Sequence, residues 1–468
     1  MKSIDVLPDD ILLGVFEFLM DENLIPTLGA KWWQSLVHVC RRWRSILFRS
    51  PRRLKLRLYC TTRTPVRDML HIWPPFPLIV DDTASPTEDM DNVVAALECR
   101  DRVDKIYLSE VNGSSLEKVL AAMQEPFPEL TFLQLSSSSN EEPVPIVPDS
   151  FLGRSAPHLL SLRLYHIPFP GLPKLLLSAT NLVALYLWNI PHSGYISPDA
   201  VVTALSALTS LQFLDIGFRS PRSHPDQASR LPPPPSRTVL PALTGILFKG
   251  VCEYLDDLVA RIDAPQLNSL HMTFFNDVVF DAPQSIQFIS RTPTLKAVDN
   301  AHVVFGHRKA IINSSSQTSH CEVGISCREL DWQLSSLEQL CASHLPSLST
   351  LEGLYVCEAL PGEQPDWQDN IENTLWLDLL HRFSTVKNLY LSKEFAPRIV
   401  AALQELDGGR TTEVLPTLQN IFLEEVEPGG RVQEDIGRIV AVRQVSGHTI
   451  TVSHWERDPI QELDLFYW

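Results

Sequence analysis

A chain of 468 residues, 44% of them hydrophobic, can bury a sizeable core as two or three compact domains or as one long repeat array, and this composition excludes a disordered protein. Thirty-six prolines against 19 glycines point to frequent stiff boundaries between short elements, which favours repeats. The net charge of −17 is uneven: residues 1–22 carry six acids and one lysine, residues 23–67 carry eleven Lys or Arg and no acid, and the remainder sums to −23. A basic segment beside an acidic body can steer an acidic partner, or it can be only a solvated helix face and its flank.

In chain order, Ile4 to Leu47 reads as two amphipathic helices. Pro8 presets φ for an opening turn, Asp9 and Asp10 suit the positive end of a helix, and Ile11, Leu12, Val15, Phe16 and Leu19 recur at helical spacing. In the second helix Trp32, Leu36, Val39, Cys40, Trp43, Ile46 and Leu47 share one side, with Gln34, Ser35, His38, Arg41, Arg42 and Ser45 opposite. Two short helices cannot bury so much apolar surface against each other, so the stripe must cover either the next domain or another protein. The blocks Leu7-Pro8-x-Asp10-Ile11-Leu12, Val15-Phe16-x-x-Leu19 and Leu36-x-x-Val39-Cys40-Arg41-Arg42-Trp43-Arg44-x-Ile46 resemble the F-box, the helical motif that binds Skp adaptors of cullin-based ubiquitin ligases. The stretch Asp21 to Lys31 departs from that pattern. The resemblance implies that Leu7, Pro8, Ile11, Leu12, Val15, Leu36, Val39 and Trp43 contact the adaptor or hold the helices in shape. The module is placed at residues 1–51 and the rest of the chain, 52–468, is read as a second domain.

Arg52 to Tyr59 alternates basic and apolar residues and suits a first strand, and residues 65–86 leave room for another near Leu78 to Val80. From Asn92 an apolar-x-x-apolar-x-apolar core returns every 23 to 32 residues or so, as in Val103, Ile106, Leu108; Leu130, Leu133, Leu135; Leu159, Leu162, Leu164; Leu182, Leu185, Leu187; and Leu211, Leu214, Ile216. It continues through Leu243, Ile246, Phe248; Leu267, Leu270, Met272; a degraded Leu295, Val298; Leu351, Leu354, Val356; Val386, Leu389, Leu391; and Leu418, Ile421, Leu423. Between the cores lie helical segments such as Leu116–Met123, Pro198–Leu208, Leu255–Ile262, Leu375–Phe383 and Ala396–Leu406, and prolines ahead of many cores stop one element before the next. The period and core resemble leucine-rich repeats, in an irregular version that mostly lacks the expected asparagine, and with the F-box they resemble the large set of fungal F-box proteins with divergent repeats. The fold class expected is therefore an α/β repeat: a helical hairpin, then an irregular solenoid with parallel strands on the concave face and helices outside.

Three stretches break the period. Ser220 to Pro241 reads as a proline-rich loop, suited to a solenoid-edge insertion or to a polyproline helix in an aromatic groove. Asn300 to Leu345, with Val303, Val304, Ile311, Ile312, Val323 and Ile325, suggests strands added where one repeat decays, and Ala359 to Asn373 reads as a surface loop. Residues 433–468 are expected to cap the array with a helix, Gln433–Arg443, and a strand, Thr449–His454.

Eight cysteines without a C-x-x-C pair, no secretory signal and no apolar run long enough to span a bilayer point to a reduced protein of the cytoplasm or nucleus, off the membrane. No H-E-x-x-H, phosphate-binding loop, G-x-G-x-x-G or G-x-S-x-G elbow occurs. The acid pairs Asp256-Asp257 and Glu424-Glu425 read as solvated faces, and nucleic-acid binding is not expected because no zinc or glycine-aromatic module accompanies the basic run. No catalytic residue, cofactor or metal is assigned. In each L-x-x-L-x-L core the last x points away from the core, which nominates Gln134, Arg163, Tyr186, Asp215, His271, Tyr390 and Phe422 as a target-binding set mixing aromatic anchors with both charges, or simply as a polar sheet surface. Trp188, Phe274, Phe275, Trp332 and Trp376 are further aromatic candidates for contact, each read as core in preference. The function expected is a non-catalytic, substrate-recognising subunit of an SCF-type ubiquitin ligase, joined through a Skp-like adaptor to a cullin scaffold and holding an unidentified target protein. The alternative is a non-ligase scaffold whose N-terminal helices only cap the repeats.

Overall fold

The computed structural model describes residues 7–20, 32–49, 56–60, 66–72, 75–82, 90–138, 144–221, 236–275, 283–295, 300–315, 318–327, 329–343, 351–359, 372–406, 410, 412–424 and 430–456. Its contacts divide the chain into two compact units, Met1–Arg219 and Ser220–Trp468, at the start of the proline-rich segment. The junction at residue 51 thus lies inside the first unit.

That unit opens with helices α1 (Asp9–Met20), α2 (Trp32–Val39) and α3 (Arg41–Arg49). The second expected helix is in fact two. Cys40 leaves the helical path between them, its carbonyl accepts the first bond of α3 from the Arg44 N–H (3.1 Å), and its Sγ accepts from the Trp43 N–H (3.4 Å). A side-chain acceptor three residues before a helical N–H is an N-cap arrangement, here with sulfur in place of oxygen. The stretch Asp21 to Lys31 lies outside the described residues.

Then follow β1 (Leu56–Tyr59), α4 (Val66–Ile72), β2 (Leu78–Asp81), α5 (Asp91–Leu97), β3 (Val103–Val111), α6 (Gly113–Ala122), β4 (Phe132–Ser137), β5 (Ser161–Tyr165), α7 (Leu172–Leu176), β6 (Ala184–Ile190), α8 (Pro198–Leu205) and β7 (Phe213–Phe218). The strands pair in sequence order, all parallel, so each connection is a crossover of the kind parallel pairing requires. Ile106, Leu133, Leu162, Leu185 and Leu214 align in one buried row, and Leu108, Leu135, Leu164, Leu187 and Ile216 in the next. The first leucine of the core closes a turn instead of joining the strand: Leu159, Leu182 and Leu211 each donate to the carbonyl three residues back. Asn112 caps α6 by accepting from the Ser115 N–H (2.8 Å), and Ser197 with Pro198 starts α8 in the same way. Helices α4 and α5 carried no sequence signal strong enough to place them, each being only seven residues long.

The second unit contains β8 (Thr238–Val239), β9 (Gly245–Gly250), α9 (Cys252–Val259), β10 (Ile262–Asp263), β11 (Ser269–Phe275), α10 (Pro283–Arg291), β12 (Asn300–Phe305), β13 (Ala310–Ser315), β14 (His320–Ser326), α11 (Leu330–Ser343), β15 (Gly353–Glu358), α12 (Asn373–His381), β16 (Asn388–Leu391), α13 (Ala396–Gln404), β17 (Asn420–Glu424), α14 (Arg431–Val445) and β18 (Thr451–Trp455). Its main sheet runs β9-β11-β14-β13-β12-β15-β16-β17-β18 and is parallel except at β13, which pairs antiparallel to both neighbours. The irregular region 300–345 therefore does hold inserted strands: β12, β13 and β14 form a meander where the leucine spacing decays. Both units are thus α/β, with mostly parallel strands.

The expected C-terminal helix and strand are α14 and β18, the latter parallel to β17 with Ile421 opposite Val452; residues 457–468 lie outside the described set. Arg443 in α14 is 2% exposed, and its Nη1 and Nη2 donate to the carbonyls of Leu415 (2.9 Å) and Val414 (2.7 Å), so a buried cation satisfies a strained turn in which Leu415 takes φ 48°. All eight cysteines are free, with Cys60, Cys252, Cys321, Cys341 and Cys357 buried; burial pushes the thiols of Cys60 and Cys321 up to about 12. Among the described residues no helix is long and apolar enough to cross a membrane.

Candidate docking surfaces

Helix α1 is apolar on two sides, and the structure gives the sides different work. Leu12, Leu13 and Phe16 are buried, and Phe16 meets the Trp43 ring edge-on at 4.9 Å. Ile46 and Leu47 of α3 are buried as well, while Phe48 stacks on Phe76 at 6.3 Å and so ties the helices to the segment leading into β2. Leu7, Ile11, Val15 and Phe18, at helical spacing, face outward, with Ile11 52% and Phe18 63% exposed. Val39 at the end of α2 is 56% exposed. Of the eight residues assigned to this module, Leu7, Pro8, Ile11, Val15 and Val39 are at the surface, whereas Leu12, Leu36 and Trp43 are buried and hold the helices in shape. Local spacing does not single out Phe18, since its neighbour Leu19 fits the apolar period of the helix. The other unforeseen feature is Arg42, which donates from Nη2 to the Leu7 carbonyl (2.5 Å) and from Nε and Nη2 to Asp9 Oδ1 (3.0 and 2.7 Å). It fastens α3 to the turn where α1 begins and fixes the direction of Leu7.

The nominated sheet residues of the first unit fall in one cross-strand row, Gln134, Arg163, Tyr186 and Asp215, preceded by Tyr107 on β3. The Arg163 guanidinium sits between the Phe132 ring (5.3 Å) and the Tyr186 ring (4.6 Å), and Tyr107 stacks on Phe132 at 4.5 Å. Such packing holds a cation at low entropic cost. Asp215 is a correction: expected on the surface, it is 6% exposed because β7 is buried along both faces from Leu214 onward, and its Oδ1 has no hydrogen-bond partner among the described residues. Burial alone raises its pKa from 3.8 to about 7.

That shift makes a prediction. Below pH 3.8 the carboxyl is protonated in both folded and unfolded chains and costs nothing, but between 3.8 and about 7 only the unfolded chain releases the proton, so folding stability falls as pH rises and levels off above about 7. Asp215→Asn should remove this slope and stabilise the protein by about 2–4 kcal/mol at pH 8 while changing little at pH 4. Urea midpoints at the two pH values check it; equal gains at both would refute it.

In the second unit His271, Tyr390 and Phe422 also share one row, but with other side chains between them: the order is His271, Glu322, Asn313, His302, Tyr355, Tyr390, Phe422. His302, Tyr355, Tyr390 and Phe422 form a stacked ladder with centroids 4.3, 4.0 and 4.4 Å apart and planes within 8° of parallel. Trp455 of β18 meets Tyr355 and Tyr390 edge-on at 5.8 and 5.6 Å. Burial, and then the neighbouring Tyr390 hydroxyl, raise the Tyr355 phenol well above its usual value. Tyr355 holds the last-x place of the Leu351, Leu354, Val356 core and was left out of the nominated set although the spacing points to it, whereas His302 and Trp455 lie outside the repeating cores and no local spacing places them beside Tyr390.

His271 belongs to a separate cluster with His320, Glu322 and Lys309. Burial and the adjacent His271 lower His320 to about 4. Burial alone would raise the Glu322 pKa, but the closeness of His271, Lys309 and His320 outweighs it and lowers the value.

Of the aromatics read as core, Phe274, Phe275 and Trp376 are buried and Trp188 is half-buried, but Trp332 is 41% exposed beside a shallow depression lined by Asp331, Ser335 and Leu375. Asp256 is likewise no solvated acid: it is buried and accepts the Ser285 N–H (2.7 Å) at the start of α10. Glu425 lies outside the described residues.

No family model and no curated protein matches this chain. One similar solved structure is the leucine-rich repeat-containing protein LegL7 from Legionella pneumophila, with a TM-score of 0.29 and 13% identity over 84% of this chain and 98% of that one.

Proposed function

We propose that the chain is the non-catalytic substrate-recognition subunit of an SCF-type cullin ubiquitin ligase. In this reading the F-box-like helices hold a Skp-like adaptor, the irregular leucine-rich repeats hold a target protein, and partner subunits supply the ubiquitin chemistry. The observation that carries it is the division of apolar residues on α1 and α2. Leu12, Phe16 and Leu36 turn inward, while Leu7, Ile11, Val15, Phe18 and Val39 remain exposed and apolar, as a helix-in-groove contact needs. A pair of helices serving only as a cap would carry polar residues on its outer side. Exposed Arg41, Arg44 and Arg49 on α3 add a basic border suited to an acidic partner. The rows in the two units, rich in aromatics with both charge signs, are the surface on which a target would be held close to the remote catalytic subunit.

Co-expression with a Skp-type adaptor tests the reading. The wild-type chain is expected to copurify with the adaptor, and Leu7→Ala with Pro8→Ala to lose it. If the wild type emerges alone, the ligase assignment fails and the scaffold alternative stands.

A further inference from the structure

Strands β11 and β14 bring together side chains whose chemistry differs from the rest of the sheet. His271 stands opposite Glu322 and Ser269 opposite His320, so two imidazoles and a carboxylate share one side of adjacent parallel strands. The two imidazole rings lie 4.6 Å apart at 32°, His271 Nδ1 is 3.7 Å from Glu322 Oε2, and one donor atom from each of the three residues lies within 4.8 Å of the other two. We propose that His271, His320 and Glu322 form a binding site for a borderline divalent transition metal, with Zn²⁺ the ion this donor set suits best.

The surrounding groups are placed as outer ligands would be. His271 Nε2 is 3.0 Å from Ser269 Oγ; with the proton on Nε2 donated to that hydroxyl, the Nδ1 lone pair faces Glu322. Lys309 Nζ is 3.3 Å from Glu322 Oε1, which fixes the carboxylate and leaves Oε2 turned to His271. The Glu322 side chain is only 5% exposed and that of His271 19%, so the donors are largely shielded from competing water yet reachable from one side. A tetrahedral ion at about 2.0–2.1 Å from each donor needs donors roughly 3.3 Å apart, so the three side chains must draw in by about 1 Å, a rotamer adjustment on strands that stay fixed. Lys309, beside Glu322, opposes a second positive charge, which sets the expected affinity in the micromolar range and not the nanomolar. Three protein ligands leave a fourth position for water or for a side chain of a bound protein. The site is independent of the adaptor reading and can stand or fall without it.

Full-length, metal-stripped protein titrated with Zn²⁺ against a chelating indicator is the test, with Co²⁺ as a spectroscopic substitute. One equivalent is expected to bind, to weaken by at least about tenfold in His271→Gln and in His320→Gln, and to remain in His448→Gln, a substitution at an exposed histidine. The Co²⁺ complex should show visible ligand-field bands without a thiolate-to-metal charge-transfer band. Circular dichroism establishes that each variant folds. Should either fail to fold, the rate of His271 modification by diethyl pyrocarbonate in the wild type decides, since bound Zn²⁺ should suppress it. No binding at micromolar Zn²⁺, unchanged binding in folded variants, a thiolate band, or an unprotected His271 would each overturn the site.

Discussion

Ile11→Asp is expected to abolish capture of a Skp-type adaptor while leaving the free protein as stable as the wild type, and Phe16→Ala is expected to destabilise strongly the module that makes the capture. The two residues lie five apart on one helix and differ in what covers them: Ile11 is 52% exposed and Phe16 is 0%. An acid at position 11 joins Asp9 and Asp10 at the positive end of α1, so the helix does not suffer, and a surface change of this kind costs within about 0.5 kcal/mol. In a complex the same carboxylate would be desolvated without a partner, a loss of several kcal/mol that weakens association at least about a hundredfold. Phe16→Ala instead leaves a void beside Trp43 and forfeits an edge-on aromatic contact, costing about 3–5 kcal/mol of a total that for most domains is only about 5–15. Pull-down alongside thermal denaturation separates the two effects. Retention of the adaptor by Ile11→Asp would mean that the open stripe is not where it docks.

Trp376→Ala should be the most damaging single substitution in the second unit. The indole of α12 is 1% exposed and meets Phe305 and Phe395 edge-on at 5.6 and 5.7 Å, while those two rings stack on each other at 5.0 Å. Phe305 ends β12 and Phe395 stands just before α13, so one side chain ties three elements together. Truncation should cost about 3–5 kcal/mol, read as a lowered urea midpoint by circular dichroism, with Trp376→Phe recovering much of it. Because each unit of a repeat array leans on its neighbours, amide protection should fall chiefly in β12, β15, β16 and α13. A variant as stable as the wild type, or a loss of protection that spares these elements, would contradict this account.

Most of the repeating architecture was legible because its cause is local. A strand buried on one face must alternate, and a chain that turns after each strand must repeat the alternation, so Leu133, Leu162, Leu185 and Leu214 announced both the strands and their register. The break at Cys40 was not legible, since one apolar face runs through α2 and α3 as if they were a single helix. The aromatic ladder and the histidine cluster depend on partners many residues away, and Asp215 depends on how thoroughly its strand is covered.

By itself the sequence determined the parallel strand-and-helix repeat, the insertion of strands near residue 300 and the amphipathic character of the N-terminal helices, because periodicity is written residue by residue. Only the tertiary structure decided which apolar face of α1 is covered by its own chain and which stays open. A helix rich in apolar residues around more than one face has no local preference between them, and the choice is made by what α3 brings against it, Trp43 above all.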